Sequence, residues 1–348
     1  PADAAGKRVF IEFEGARQAA EVWLNGHRVG LSENGVMAFG FDLTPYIRKG
    51  KNRIEVRTDN SWDYREQATG STFQWNAKSF NANYGGLTRN VRLHIVGDVY
   101  QTLPLYSSLG TTGTYVYATQ YDIPGREATV SAATEVRNDG STPATVDYTV
   151  IVEEMDGSEL ARFSGGRHTL GPHSTRTLVA SQRLSGLHFW SWGYGYLYRV
   201  KTVVGTDTVA TTTGFRKTEF ARGMIMLNDR VMQVHGYAQR STNEWPGVGS
   251  AVPAWLSDYS NSLLVESGGN MVRWMHITPW KQDVESCDRV GLPQALPAGD
   301  AEKTPSGRWW EQRMELMRDA IIYNRNSPSV MFYECGNRRI TAEQMALM

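Results

Sequence analysis

From Val9 to Glu14 the chain reads Val-Phe-Ile-Glu-Phe-Glu, with apolar and polar positions alternating as in a half-buried strand. Glu21-Val22-Trp23-Leu24 then runs into Asn25-Gly26, a pair suited to the positive φ angles of a tight hairpin, and His27-Arg28-Val29 returns. Phe39–Ile47 and Asn52–Arg57 supply two more strand segments. Short strands separated by turns predict a β-sandwich over residues 1–97.

A second strand-rich stretch covers residues 98–218. Thr129–Val136 leads into Arg137-Asn138-Asp139-Gly140, which reads as another hairpin turn, and strands are expected at Thr145–Val152 and Thr177–Ser181. His168 and His173, flanked by Gly and Pro, read as surface polar residues. After Glu219 short apolar runs alternate with helical stretches, the texture of βα units, which makes 219–348 a third region. Its strands are expected at Met232–Gly236, Asn270–Met275, around Gly291–Leu296 and at Val330–Glu334. Trp309–Tyr323 has helical spacing, with Met314, Met317, Ala320 and Ile321 on one face set to pack on a sheet.

Charge then narrows the function. Lys plus Arg and Asp plus Glu both number 36, so no net field draws nucleic acid or a membrane surface. No apolar run approaches the roughly 20 residues of a membrane span. The two cysteines, Cys287 and Cys335, make no disulfide framework and no zinc spacing. Eleven Trp and sixteen Tyr supply aromatic cores and flat faces on which sugar rings stack. The chain opens at Pro1 in strand-rich sequence, so a missing N-terminus is expected and no signal peptide is read.

Four stretches carry a family resemblance: Asn270–His276, Ser286–Leu292, Asn326–Val330 and Glu334-Cys335-Gly336-Asn337. Together they resemble the catalytic barrel of family 2 glycoside hydrolases, the β-galactosidase, β-glucuronidase and β-mannosidase family. Val22–Gly26 and Tyr84–Val91 look like the jelly roll that opens those enzymes. Tyr196–Val200 and Gly214–Lys217 are similar to the segments that close its immunoglobulin-like spacer. The resemblance implies a multidomain β plus α/β protein: a jelly-roll β-sandwich, an immunoglobulin-like β-sandwich, then the first half of a (β/α)8 TIM barrel. Such a barrel takes about 250 residues, so a chain ending at Met348 is expected to be an N-terminal fragment, inactive by itself.

Glycosidic cleavage needs two carboxyl groups flanking the scissile bond. In the family the acid/base glutamate follows a Gly-Asn pair at the end of strand four; here Gly336-Asn337 is followed by Arg338. Glu334 is therefore the catalytic candidate. By alternation it lies about 13 Å deeper than Arg338, and it reaches the mouth if the strand bulges or ends early at Cys335-Gly336. The alternative is a carboxylate paired with Arg273 as scaffold. The resemblance puts the nucleophile on strand seven, outside this chain. Arg273 and His276, ending strand two, offer donors for carboxylates and hydroxyls. With Asn337, Glu244, Trp245 and Asp300 they form the expected substrate-binding set. Glu244-Trp245 stands where the family has an Arg-His pair. Asp300 and Glu302, after strand three, are oxygen donors of the kind a hard divalent cation takes, though no metal site is assigned.

The resulting expectation is a retaining exo-acting β-glycosidase, first a β-galactosidase, whose partner is an oligosaccharide or polysaccharide. The departures at Glu334–Asn337 and Glu244-Trp245 resemble a subgroup that trims galactose-containing fragments such as those of red algae. A β-glucuronidase or β-mannosidase of the same family, and a non-catalytic carbohydrate-binding protein, are the alternatives. The substrate class favours a periplasmic or secreted location, and homo-oligomerisation stays open.

Overall fold

The computed structural model describes residues 4, 6–76, 83–240, 247–300 and 304–348. The first sandwich is built from β1 (Arg8–Phe13), β2 (Ala19–Leu24), β3 (His27–Ser32), β4 (Phe39–Asp42), β5 (Ile54–Asp59) and β6 (Val91–Val96). They form two antiparallel sheets in the orders β4-β1-β6 and β3-β2-β5. Val9, Ile11, Phe13, Val22, Leu24 and Phe39 fill the space between them. The β2–β3 turn has Asn25 at φ 54° and Gly26 at φ 84°, the left-handed pair that its sequence predicted. In contrast to the half-buried reading, β1 is covered on both faces. Its outward Phe10 meets the Tyr100 ring, centroids 5.4 Å apart, and Glu12 accepts from Tyr323.

The second sandwich contains β7 (Val99–Gln101), β8 (Thr114–Asp122), β9 (Glu127–Asn138), β10 (Ala144–Glu154), β11 (Glu159–Leu170), β12 (Ser174–Leu184), β13 (Tyr198–Val204) and β14 (Asp207–Thr213). A short helix α1 (Tyr106–Leu109) interrupts it early. One sheet runs β11-β10-β13-β14; the other runs β12-β9-β7, with β8 also on β9. The expected hairpin at Arg137–Gly140 is not one, because β9 pairs with β12 whereas β10 pairs with β11 and β13. The turn crosses between sheets instead. Buried Asn138 organises the crossing, accepting from Gly140 N at 2.9 Å and donating to Thr142 O at 2.9 Å.

Next come β15 (Thr218–Ala221), β16 (Met224–Leu227) and β17 (Arg230–Met232), an antiparallel meander. The sequence boundary at 218 thus falls on the first residue of β15. The remainder alternates β18 (Gly236–Gln239), α2 (Ala254–Glu266), β19 (Met271–Trp274), α3 (Lys281–Val290), β20 (Gln294–Pro297), α4 (Arg308–Asn324), β21 (Val330–Glu334) and α5 (Ala342–Leu347). The four strands are parallel neighbours in sequential order. The first of them therefore lies later than the expected Met232–Gly236. Met232 belongs to the meander, and Asn270 pins the stretch between, donating to Gln233 O at 2.7 Å and accepting from His235 N at 2.8 Å.

Alternation along these strands separates two faces. Val272 and Trp274 pack outward on Leu264, Val284 and Cys287 of the helices. Met271 and Met331 turn the other way and meet Leu227 and Met232 of the meander, which closes the N-terminal end of the sheet. Arg273 and Glu334 sit further along, at the C-terminal ends. On α4 the most fully covered residues are Met317 and Ala320 together with Gln312, Arg313, Leu316 and Asn324, whereas Met314 and Ile321 are only half-buried. The buried stripe is rotated from the expected one because both sandwiches also dock on this helix. Among the described residues no helix is long and apolar enough to cross a membrane.

Candidate active site

Strand β21 stops at Glu334, with an irregularity in its register on β20 between Gln294 and Ala295. The early end brings Glu334 to the mouth. Arg273 of β19 reaches across and donates Nε to Glu334 Oε2 at 2.6 Å, while its Nη2 bonds the other carboxylate oxygen. The pair is bidentate, the fork-to-fork geometry that fixes both side chains. The same Nη2 donates to Asn337 Oδ1 at 3.0 Å. Three of the expected site residues, Arg273, Glu334 and Asn337, therefore form one cluster. Arg273 and Glu334 keep 34% and 18% of their side chains exposed, enough to meet a ligand from the mouth.

Asp300 and His276 lie beneath that cluster. Asn337 N donates to Asp300 Oδ2 at 2.7 Å, and Asp300 N donates to His276 O at 2.8 Å. Both side chains are buried. Asp300 also pairs with Arg313 of α4 at 3.2 Å, and Arg313 is itself fully buried. Asp300, expected in the substrate-binding set, is 0% exposed and braces the loop that carries Asn337. Arg313 escaped the sequence reading. Its burial pulls its pKa below the ordinary arginine value, and Asp300 works against that shift.

The first sandwich supplies the adjoining wall. Gln74, in the short turn Gln74–Asn76, accepts from Arg313 Nη2. Trp75 lies flat against Gly299, just past β20; a Cβ there would come within 2.1 Å of the ring. Trp75 Nε1 donates to Asn34 O at 2.7 Å, which orients the indole. Farther along the same face, Gly15 makes an equally close approach to the Trp280 ring, and the Arg89 guanidinium stacks on that ring at 4.6 Å. Tyr84 touches Gly249 in the loop after β18. Three loops at the C-terminal ends of the parallel strands are thus lined by sandwich side chains.

Glu244, Trp245 and Glu302 lie outside the described residues. Among the described residues, no group of three or more His, Cys, Asp or Glu is placed to hold a metal ion. Chemically, the mouth combines a carboxylate held by a guanidinium with an amide beside it, polar groups that suit a polyhydroxylated ligand, while the Trp75 and Trp280 rings are buried in packing.

Comparison with known proteins agrees with this architecture. Residues 1–101 match the glycosyl hydrolase 2 galactose-binding domain-like family, and residues 114–216 match glycosyl hydrolases family 2. A β-glucuronidase of Formosa agariphila is 33% identical over 97% of this chain and 35% of its own length. A β-galactosidase of Bacteroides ovatus is 28% identical over 96% of this chain and 38% of its own. The solved structure of a β-glucuronidase from glycoside hydrolase family 2 superposes with a TM-score of 0.91 at 31% identity, covering 99% of this chain and 36% of that one. The chain belongs to glycoside hydrolase family 2, a family of β-glycosidases. It spans somewhat over a third of the length of these relatives.

Proposed function

We propose that the protein carrying this chain is a retaining, exo-acting β-glycosidase that removes a terminal sugar from an oligosaccharide or polysaccharide. The observation that carries this reading is the Arg273–Glu334–Asn337 cluster, formed across β20 at the C-terminal ends of parallel strands β19 and β21. Sites of barrel enzymes are built at that end. The sequential parallel order of β18 to β21 supports reading them as the first half of a (β/α)8 barrel. The absence of any sheet pairing across residue 97 among the described residues supports a jelly roll at 1–97. An immunoglobulin-like spacer then occupies 98–218 and the barrel portion 219–348.

Glu334 is our candidate acid/base. It would give its proton to the leaving oxygen, then activate water against the glycosyl intermediate. Arg273 holds it by the pairing that the scaffold alternative also expects, and Asn337 contributes an amide beside it. For the sugar, the Formosa agariphila and structural relatives favour a β-glucuronide, and the Bacteroides ovatus relative favours a β-galactoside. Aryl β-glucuronide and aryl β-galactoside turnover by the full-length enzyme separates the two. Hydrolysis of neither, nor of a β-mannoside, would leave the non-catalytic carbohydrate binder in place.

A further inference from the structure

Arg17 stands in the connection between β1 and β2, where its backbone pairs with Gly86 in both directions at 3.1 and 2.9 Å. Its side chain is 1% exposed. Nε donates to Asn83 Oδ1 at 2.9 Å, yet among the described residues neither Nη1 nor Nη2 has a hydrogen-bond partner. An uncompensated charge in such a place is costly, and buried cations are ordinarily paired. Burial alone draws the Arg17 pKa down to about 10, with no carboxylate opposing it. Arg89 differs: it rests on Trp280 and feels Asp283 and Glu14, although among the described residues its Nε and Nη2 likewise have no hydrogen-bond partner.

Location adds a second line of argument. Arg17 is two residues from Gly15, which touches Trp280 in the loop after β19. Its partner Asn83 precedes Tyr84, which touches Gly249 in the loop after β18. Asn83 is also tied to Asn60, and Asn76 holds the neighbouring Ser61 and Trp62 carbonyls, next to the Trp75 that meets Gly299. Arg17 therefore lies in the part of the first sandwich whose neighbouring residues Gly15, Tyr84 and Trp75 meet the strand-end loops.

We propose that Arg17 is an anion-binding residue: the seam between the first sandwich and the strand-end loops takes a carboxylate or sulfate group on the Arg17 fork. Two parallel N–H donors match two oxygens of either group. The anion is either a substituent of the substrate or a free ion, and in the first case the idea rests on the β-glycosidase reading above.

Two measurements test it. In the first, the Tm of this chain is followed as sodium sulfate or sodium glucuronate replaces sodium chloride at fixed ionic strength. Arg17→Met serves as the reference, because sulfate raises Tm generically by exclusion from the surface. A bound anion should raise the wild-type Tm by about 3 °C or more beyond the rise in Arg17→Met. The second compares kcat/KM of the full-length enzyme on aryl β-glycosides with and without a carboxylate or sulfate. A substrate-borne anion predicts at least a 30-fold loss on the charged substrate in Arg17→Met, with less than a threefold change on the neutral one. An anion-specific Tm shift with equal losses on both substrates assigns a free ion. If Arg17→Met folds poorly, Arg17→Gln takes its place. Equal Tm responses in wild type and variant, together with equal losses on charged and neutral substrates, would overturn the proposal. An enzyme that cleaves nothing would sink the glycosidase reading while the Tm measurement still judged the site.

Discussion

Tyr323, near the end of α4, donates its hydroxyl to Glu12 on β1 at 2.9 Å, joining residues 311 positions apart. Burial raises the Glu12 pKa, but the bonds from His94 and Tyr323 outweigh it, and the carboxyl ends below its ordinary value. Tyr323→Phe removes one of those bonds without changing the ring. The expected cost is about 1–2 kcal/mol, read as a lower urea midpoint at neutral pH.

Beneath the mouth, Asp300→Ala would leave Arg313 buried without its carboxylate. Stranding one member of a buried pair costs about 3–5 kcal/mol. Thermal unfolding of the chain should show the loss directly, and a variant as stable as wild type would refute the bracing role.

Glu334→Gln in the full-length enzyme should slow turnover by about 10²–10⁴-fold on glycosides with poor leaving groups. The loss should shrink on dinitrophenyl glycosides, which need little protonation, and azide should restore deglycosylation. Equal losses on all substrates with no azide rescue would mark Glu334 as a scaffold for Arg273.

Asp288 on α3 provides a pH prediction. Burial pushes its carboxyl up to about 6, against bonds from Ser329 and the charge of Lys281 that draw it down. Below the ordinary aspartate pKa, folded and unfolded chains both hold this proton. As pH rises from about 4 to about 6 the unfolded chain releases it first, so stability falls by up to about 3 kcal/mol and then levels. Asp288→Asn should flatten this segment of the stability profile measured by denaturant unfolding.

Gly195 sits where the second sandwich meets the end of α3, and a Cβ there would lie 2.1 Å from the carbonyl oxygen of Arg289. Backbone cannot swing aside as a side chain can. Gly195→Ala should therefore lower stability by about 1–3 kcal/mol, visible as a lower Tm.

Legibility in the sequence followed the range of the interaction. Asn25-Gly26 announced its turn because the φ requirement is local. The parallel strands were legible from apolar runs, and the strand-end position of Arg273 and Glu334 followed from them. Arg137–Gly140 misled because turn chemistry says where the chain bends and not which sheet it joins next. Met232 was misplaced because an apolar run at a strand boundary fits the meander as well as the parallel sheet. Arg313 stayed hidden because its partner Gln74 is 239 residues away. Arg17 was equally silent: a single cation in a loop looks solvated until Asn83 and Gly86, far along the chain, fold against it.

The line from Gln74 through Arg313, Asp300 and Asn337 to Arg273 and Glu334 has a bearing on engineering. A sandwich of this kind is a tempting module to exchange between relatives in order to change which carbohydrate the proposed glycosidase would bind. Here the exchange would also replace the residue that holds the far end of the line. A chimera joining one parent's sandwich to another's strands should lose rate as well as specificity unless Gln74 and Arg313 travel together. Recombination points placed with that pair on one side would keep the site intact while the outer surface of the sandwich is varied freely.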